Sequence, residues 1–276
     1  MKFSKMHGLG NHFVVVESIT QNINLTSKKI QMLSDPCLGI GFDQLLIIEK
    51  SKNSEFDFNY RIFNKNGNEV EQCGNGARCI ALFVRLKKLT DKNKIYVKTK
   101  TNKISLKIYK NNIVKVNMGE PIFNPKHIPL LYNKEQIEYK LKLKNSDQTI
   151  YFGSVSLGNP HCIINVNNIN TAPVSTLGPK LEIHKYFPNK VNVGFMQILN
   201  KNNIYLRVYE RNTGETKSCG SGACAAVAVG IRQYKLSNIV NVNLLGGKLI
   251  IKWKGPNYPL FMIGEATHVY EGYINI

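Results

Sequence analysis

Cys219-Gly220-Ser221-Gly222-Ala223-Cys224 repeats the opening of an earlier stretch, Cys73-Gly74-Asn75-Gly76-Ala77-Arg78, and that repeat divides the chain in two. Shifted by 146 positions (219 minus 73), the copies align without a gap well upstream of the cysteines. Arg61-Ile62-Phe63-Asn64-Lys65-Asn66 falls on Arg207-Val208-Tyr209-Glu210-Arg211-Asn212, and Glu69 falls on Glu215. Each copy reads as an alternating strand, a polar turn, and a Cys-Gly-x-Gly-Ala segment opening an apolar run. One long offset marks a duplicated half, whereas a solenoid would show several short periods.

Working outward, Ala77–Leu86 and Ala223–Ile231 are rich in helix formers and almost without charge. A helix that is apolar all round has to be buried. Each half is therefore expected to be a sheet wrapped around one central helix, with the Cys-Gly-x-Gly turn at the helix N-terminus. Unsatisfied N–H groups and the helix dipole favour anions there, and a cysteine so placed has its thiolate stabilised.

Two such cysteines suggest helix N-termini facing each other across a cleft, with Gly74-Asn75 and Gly220-Ser221 holding one carboxylate between two sulfurs. That arrangement suits inversion at the carbon next to a carboxylate. One thiolate removes the α-proton from one face while the opposing thiol delivers a proton to the other. No cofactor and no metal is required. A Cys-Gly-x-Gly turn also arises where small residues simply let strand and helix pack. Two copies with matched upstream polar residues favour the chemical reading.

At 276 residues the chain is long enough for two ordinary domains. No stretch approaches a membrane span and the N-terminal residues lack a signal-like apolar core, so a cytoplasmic protein with no membrane partner is expected. The six cysteines form no Cys-x-x-Cys pair, and Cys37, Cys79, Cys162 and Cys224 read as buried small residues. The net charge is +19, from 37 Lys+Arg against 18 Asp+Glu. Lys98, Lys100, Lys103, Lys107, Lys110 and Lys115 are dispersed along strands and turns beside asparagines, in neither a compact block nor one helix face, so nucleic acid is not expected as a partner.

In chain order, strands are expected on either side of the turn Gly8–Gly10, which places Asn11 where it can contact a ligand. A short helix over 26–35 is capped by Thr26 or Ser27 and stopped by Asp35-Pro36. Gln44 opens an apolar strand, and a strand over 59–63 ends at Asn64. Residues 94–118 alternate as strands with turns at Asn102-Lys103 and Asn111-Asn112. Gly119-Glu120-Pro121 marks the crossing to the second half, and residues 130–150 read as a polar hairpin region. Gly158-Asn159 then echoes Gly10-Asn11, and Gly194–Gln197 echoes Gly41–Gln44. His161 shares the Asn159 turn, where an imidazole can tune a thiol. Arg211 offers a fork for a second carboxylate and Glu210 an acceptor for an ammonium, unless the two form a surface ion pair. Strands resume over 239–273, with Gly246-Gly247 as a turn and Trp253 in the core.

The ordered motifs MHGLGN (6–11), GFDQLL (41–46), CGNGAR (73–78), GNPH (158–161), ERNTGETKSCGSGACA (210–225) and HVYEG (268–272) together resemble the diaminopimelate epimerase family over essentially the whole chain. The resemblance implies an α/β fold of the α+β type: two pseudo-symmetric domains, each a mixed, mainly antiparallel sheet rolled around a central helix. It implies an active site in the interdomain cleft and domains spanning 1–118 with 265–276, and 119–264. The implied reaction interconverts LL- and meso-2,6-diaminopimelate without pyridoxal phosphate, in lysine and peptidoglycan precursor synthesis. Cys219 is implied as base and Cys73 as acid in the LL-to-meso direction. Implied substrate contacts are Gly74, Asn75, Gly220 and Ser221 with Asn11 and Gln44 at the reacting centre, and Asn64, Asn159, Asn192, Glu210 and Arg211 beyond it. His161 and Glu210 are implied to adjust the cysteines, and Tyr270 to lie in a homodimer interface. The family commonly has an acidic residue after Asn11, where this chain has His12. A proline or hydroxyproline racemase shares the two-thiol logic, but its substrates lack the distal groups that Glu210 and Arg211 would meet. A basic nucleic-acid-binding module leaves the paired Cys-Gly-x-Gly turns unexplained.

Overall fold

The computed structural model describes residues 1–70, 73–100, 103–143 and 148–276. Its chain divides into two compact units, Met1–Asn117 with Ile263–Ile276, and Met118–Met262. Asn102 of the turn expected at Asn102-Lys103 lies outside the described residues, as does the 144–147 part of the expected hairpin region.

The first unit runs β1 (Lys2–Gly8), β2 (Asn11–Glu17), α1 (Ser27–Ser34), β3 (Gln44–Lys50), β4 (Phe58–Asn64), the short β5 (Glu69–Val70), α2 (Gly74–Leu86), β6 (Lys94–Lys98), β7 (Lys103–Ile108) and β8 (Ile113–Asn117). The second runs β9 (Tyr139–Lys142), β10 (Thr149–Ser156), β11 (Pro160–Asn165), α3 (Val174–Glu182), β12 (Asn192–Asn200), β13 (Asn203–Glu210), β14 (Gly214–Thr216), α4 (Gly220–Arg232), β15 (Ile239–Leu244) and β16 (Gly247–Lys252). The strands β17 (Phe261–Glu265) and β18 (Thr267–Tyr273) end the chain, and β18 pairs antiparallel with β1.

The duplication read from the sequence is a duplication of topology. In the first unit β2/β3 and β4/β6 are parallel, while β1/β2, β3/β4, β4/β5, β6/β7 and β7/β8 are antiparallel. In the second unit β11/β12 and β13/β15 are parallel in the same places. Parallel neighbours need a crossover, and each of these pairs has one helix between its strands: α1 and α2 in one unit, α3 and α4 in the other. The outer helix α1 is capped by Thr26, whose Oγ1 accepts from the Lys29 N–H at 3.3 Å, and it buries Ile30 and Leu33 against Val14, Val16 and Phe42. Fully burying such a side chain stabilises by roughly 1.5–3 kcal/mol.

The inner helices explain the apolar runs. Every α2 residue from Gly74 to Val84 is buried, and α2 packs against β1, β2, β3, β7, β8 and β18. Its one charge in that span, Arg78, is 0% exposed and donates through Nε to the Glu265 carbonyl at 3.0 Å. In the second unit α4 packs against β10–β13 and β16. A Cβ added to Gly153 on β10 would stand 2.2 Å from Val229 Cγ1 of α4, so glycine lets helix and strand close up.

Three features depart from the sequence expectations. Nothing was expected over 166–191, yet α3 lies there, with no side-chain cap, Pro173 before it and Pro179 within it. Cys37 is exposed rather than buried, because Asp35 Oδ1 accepts from the Cys37 and Leu38 N–H groups and turns the chain outward. Of the lysines expected to be dispersed, Lys98, Lys103, Lys107 and Lys115 are brought onto one sheet face together with Lys94: Lys94 opposite Lys107, Lys98 opposite Lys103, and Lys107 opposite Lys115. Like charges directly opposite oppose pairing. Aromatic rings compensate in part, with Lys94 and Lys103 Nζ at 4.9 and 5.2 Å from the Tyr96 centroid and Lys107 Nζ at 5.3 Å from Tyr109.

Candidate active-site residues

Cys73 and Cys219 occupy the same structural position, the N-cap of an inner helix. Both have extended backbone, φ −144° and ψ 107° at Cys73, φ −120° and ψ 108° at Cys219. In the first unit Gly76 N–H donates to Cys73 Sγ at 3.3 Å; in the second Gly222 N–H donates to Cys219 Sγ at 3.4 Å. The sulfur takes the place of the hydroxyl or carboxylate oxygen of an ordinary cap. Helix geometry leaves the first-turn N–H groups, those of Gly74, Gly220 and Ser221 among them, without an intrahelical acceptor, which suits them to an anion.

The first unit joins its candidate polar residues in pairs. Gln44 Nε2 donates to Asn64 Oδ1 at 2.8 Å across paired strands. Asn11 Nδ2 and the His12 N–H both donate to Asp43 Oδ2, at 2.9 and 2.7 Å. Asp43 thus holds the turn that Gly10 makes at φ 79°, a residue the sequence reading passed over although it adjoins Gln44. The His12 ring lies 6.3 Å from that of His7, whose pKa is lowered by burial and then by His12.

The second unit joins its residues in one network. Ser221 Oγ lies 3.6 Å from Cys219 Sγ and accepts from Asn159 Nδ2 at 3.3 Å, and Asn159 Oδ1 meets His161 Nε2 at 3.0 Å. Asn192 Nδ2 donates to the Pro160 carbonyl at 3.0 Å, while its Oδ1 accepts from the Arg211 N–H at 3.0 Å. Arg211 Nη1 donates to the Asn189 carbonyl at 3.1 Å, and Glu210 Oε1 accepts from Thr216 Oγ1 at 2.5 Å. Glu210 also hydrogen-bonds the Cys219 sulfur. Thr216 and Asn189 escaped the sequence reading: Asn189 falls in no quoted motif, and Thr216, though inside the stretch 210–225, has no matching polar residue in the first copy, where Val70 stands.

At Cys219 other influences outweigh the helix N-terminus, which by itself favours the thiolate. Burial first, and then the Glu210 carboxylate through charge and hydrogen bond, push this thiol well above its ordinary pKa, against smaller opposing effects of Ser221 and the Gly222 N–H. Cys219, 3% exposed, is therefore held as the neutral thiol. His161 is driven down to about 3 by burial and then by Arg211, so its imidazole is neutral as well. Cys79, the next cysteine along α2, is pushed up to about 12 by burial, and burial likewise pushes up Cys162. Tyr270 lies on β18, 45% exposed, its ring packed edge-on against Phe3 at 6.1 Å beside the exposed Val269 and Tyr273. Among the described residues no group of three or more His, Cys, Asp or Glu is disposed to hold a metal ion, and no helix is long and apolar enough to cross a membrane.

A family model described as diaminopimelate epimerase matches residues 3–124 and 153–269. Among solved structures, a hydroxyproline epimerase from Agrobacterium vitis with bound trans-4-hydroxy-L-proline is similar at TM-score 0.70 and 12% identity, over 99% of this chain and 91% of that one. A phenazine biosynthesis protein of the PhzF family from Bacillus anthracis is similar at TM-score 0.67 and 17% identity, over 100% and 99% of the two chains. A probable proline racemase from Agrobacterium radiobacter K84 is similar at TM-score 0.67 and 12% identity, over 100% and 93%. These likenesses are likenesses of fold, the pseudo-symmetric pair of sheets each wound on a helix.

Proposed function

Since the chain belongs to the diaminopimelate epimerase family, and hence to the epimerases and racemases of this fold, we propose that it interconverts LL- and meso-2,6-diaminopimelate by two-cysteine acid/base chemistry without a cofactor. The observation that carries this reading is the repeated cap: a cysteine sulfur at the N-terminus of each inner helix, held by the N–H three residues on.

In the proposed LL-to-meso direction the α-carbon has one sulfur on each face. Cys219 thiolate takes the α-proton, so the C–H bond breaks, an S–H bond forms, and the electron pair passes into the substrate carboxylate. First-turn N–H groups, those of Gly74, Asn75, Gly220 and Ser221, receive the added charge, with Asn11 and Gln44 beside them. The Cys73 thiol then gives its proton to the opposite face, leaving Cys73 as thiolate and Cys219 as thiol. The reverse reaction uses these two forms with the roles exchanged.

The Cys219 thiol must first lose its proton, which passes to solvent water. Glu210 is the lever within the substrate's reach, because an ammonium placed against its carboxylate cancels the charge that, after burial, raises the Cys219 pKa. Neutral His161 reaches the sulfur through Asn159 and Ser221, and so adjusts its hydrogen bonding without adding charge. Asn64, Asn159, Asn192 and Arg211 are assigned to the distal centre of the substrate, where a guanidinium matches a second carboxylate. Proline and hydroxyproline have no such group. We place the protein in the cytoplasm as a homodimer, joined through the β18 face that carries Tyr270, with neither nucleic acid nor membrane as partner.

The deciding experiment incubates LL-diaminopimelate in heavy water with the reduced protein, no cofactor added. Meso product carrying deuterium at the inverted carbon, with turnover lost in both Cys73→Ala and Cys219→Ala, is the expected result. Absence of exchange in the wild type would overturn the substrate, and survival of turnover in either variant would overturn the mechanism.

A further inference from the structure

Tyr60 on β4 is 1% exposed, and its hydroxyl is shielded from solvent without a hydrogen-bond partner among the described residues. Its oxygen stands 2.4 Å from where a Cβ on Gly76 would be, so Gly76 is a glycine because the hydroxyl is there. Gly76 is also the residue whose N–H holds the Cys73 sulfur. Burial, then the neighbouring Cys73 and Cys79, push the phenol's own ionisation far up, so it stays an O–H donor. A buried hydroxyl left unpaired destabilises a fold, and phenylalanine would fill the same space without that penalty.

The duplicated half shows that the architecture does not demand this hydroxyl. The offset of 146 places Leu206 where Tyr60 stands, and there Gly222 faces Val208 Cγ2 at 3.0 Å. Conversely Glu210, beside the second sulfur, aligns with neutral Asn64. Each cysteine thus has one neighbour that its counterpart lacks, a proton donor near Cys73 and a carboxylate at Cys219. The other thiol near Tyr60 is Cys79, fully buried and pushed up to about 12, so it carries no charge for the phenol to meet.

We propose that Tyr60 is a positioning residue for Cys73: its hydroxyl, buried against the Cys73 turn with no partner among the described residues, lowers the cost of negative charge on that sulfur, opposing the part that Glu210 plays at Cys219. The two halves would thereby be biased toward thiolate at Cys73 and thiol at Cys219 between turnovers. This rests on the reading that Cys73 cycles between thiol and thiolate, and it is independent of which substrate is used.

The test is the rate at which iodoacetamide alkylates Cys73 as a function of pH, followed by peptide mass spectrometry on the full chain without substrate. In Tyr60→Phe, alkylation of Cys73 at neutral pH should slow about tenfold, and its pH of half-maximal reactivity should rise, while the Cys219 peptide behaves as in the wild type. The thermal midpoint should not fall, since only an unpaired oxygen is removed. Tyr60→Leu, the residue the second half uses, should shift the Cys73 profile the same way. An unchanged Cys73 profile, or both cysteines moving together, would overturn the proposal. Loss of the diaminopimelate reading would not, because a shifted profile stands without any substrate.

Discussion

Replacing Gly153 by alanine should both destabilise the protein and slow it, and trimming the side chain it strikes should make the two losses less than additive. Apolar atoms rest at about 3.5–4.0 Å, and the new Cβ would lie 2.2 Å from Val229 Cγ1 and 3.1 Å from Cγ2. About 1.5 Å must therefore be recovered by movement of α4 against β10. Overpacking of this kind costs about 1–3 kcal/mol. Removing a glycine from the unfolded chain returns about 0.4–1 kcal/mol, which leaves a net loss of up to about 2.6 kcal/mol. The displaced helix carries Cys219 at its cap, and a shift of an ångström at a reacting group can cost on the order of a hundredfold in rate. Val229→Ala alone should cost about 2 kcal/mol for its two methyl groups. In Gly153→Ala/Val229→Ala the new methyl occupies space the valine has left, so the pair should fall short of the sum of the single losses by at least about 1 kcal/mol. Denaturant midpoints and α-proton exchange rates of the four proteins measure this. Strict additivity, or an unslowed Gly153→Ala, would show that the close approach of strand and helix does not set the position of the cysteine.

His161 makes stability fall with acidity. Its folded pKa, lowered to about 3, lies below the value of 6.5 in an unfolded chain, so between those limits the unfolded chain binds the extra proton. The contribution is complete above pH 6.5 and is lost as pH falls toward 3, at up to about 1.4 kcal/mol per pH unit. His161→Gln should flatten that part of a stability-against-pH curve measured by urea unfolding, and an unaltered slope would refute the assignment. Tyr270→Arg places a charge on the exposed β18 face and should yield monomers by light scattering; a wild type that is itself monomeric would remove the dimer from the proposal.

The duplication was legible because it is written twice. Cysteine, glycine and the upstream arginine and glutamate recur at one offset, and the fold repeats them as an N-cap and a paired ion bridge, Arg61 with Glu69 at 3.0 Å and Arg207 with Glu215 at 2.6 Å. What escaped notice lacked local signals. The helix α3 has two prolines and no polar cap, and only its place between parallel β11 and β12, matching that of α1 between β2 and β3, would have predicted it. The lysine face was hidden because cross-strand neighbours are set by register, so lysines spread through sequence meet only after pairing. The resting ionisation of Cys219 was not legible, since the helix terminus is visible in the sequence, whereas the competing burial and the Glu210 contact exist only in the folded chain.

The hydrogen bonds between Met1 and Ile274, at 2.6 Å from the Met1 nitrogen and 3.0 Å to its carbonyl, set an order of events during synthesis. The strand β1 lies between β2 and β18, and Arg78 at the heart of the first unit is tied to the Glu265 carbonyl. That unit therefore cannot close when its first 117 residues have left the ribosome, and it waits as an open sheet edge while Met118–Met262, contiguous in sequence, is made. The half that begins first on the ribosome is thus completed last, and a chain stalled before residue 263 would expose the edge of β1 to whatever strand it meets.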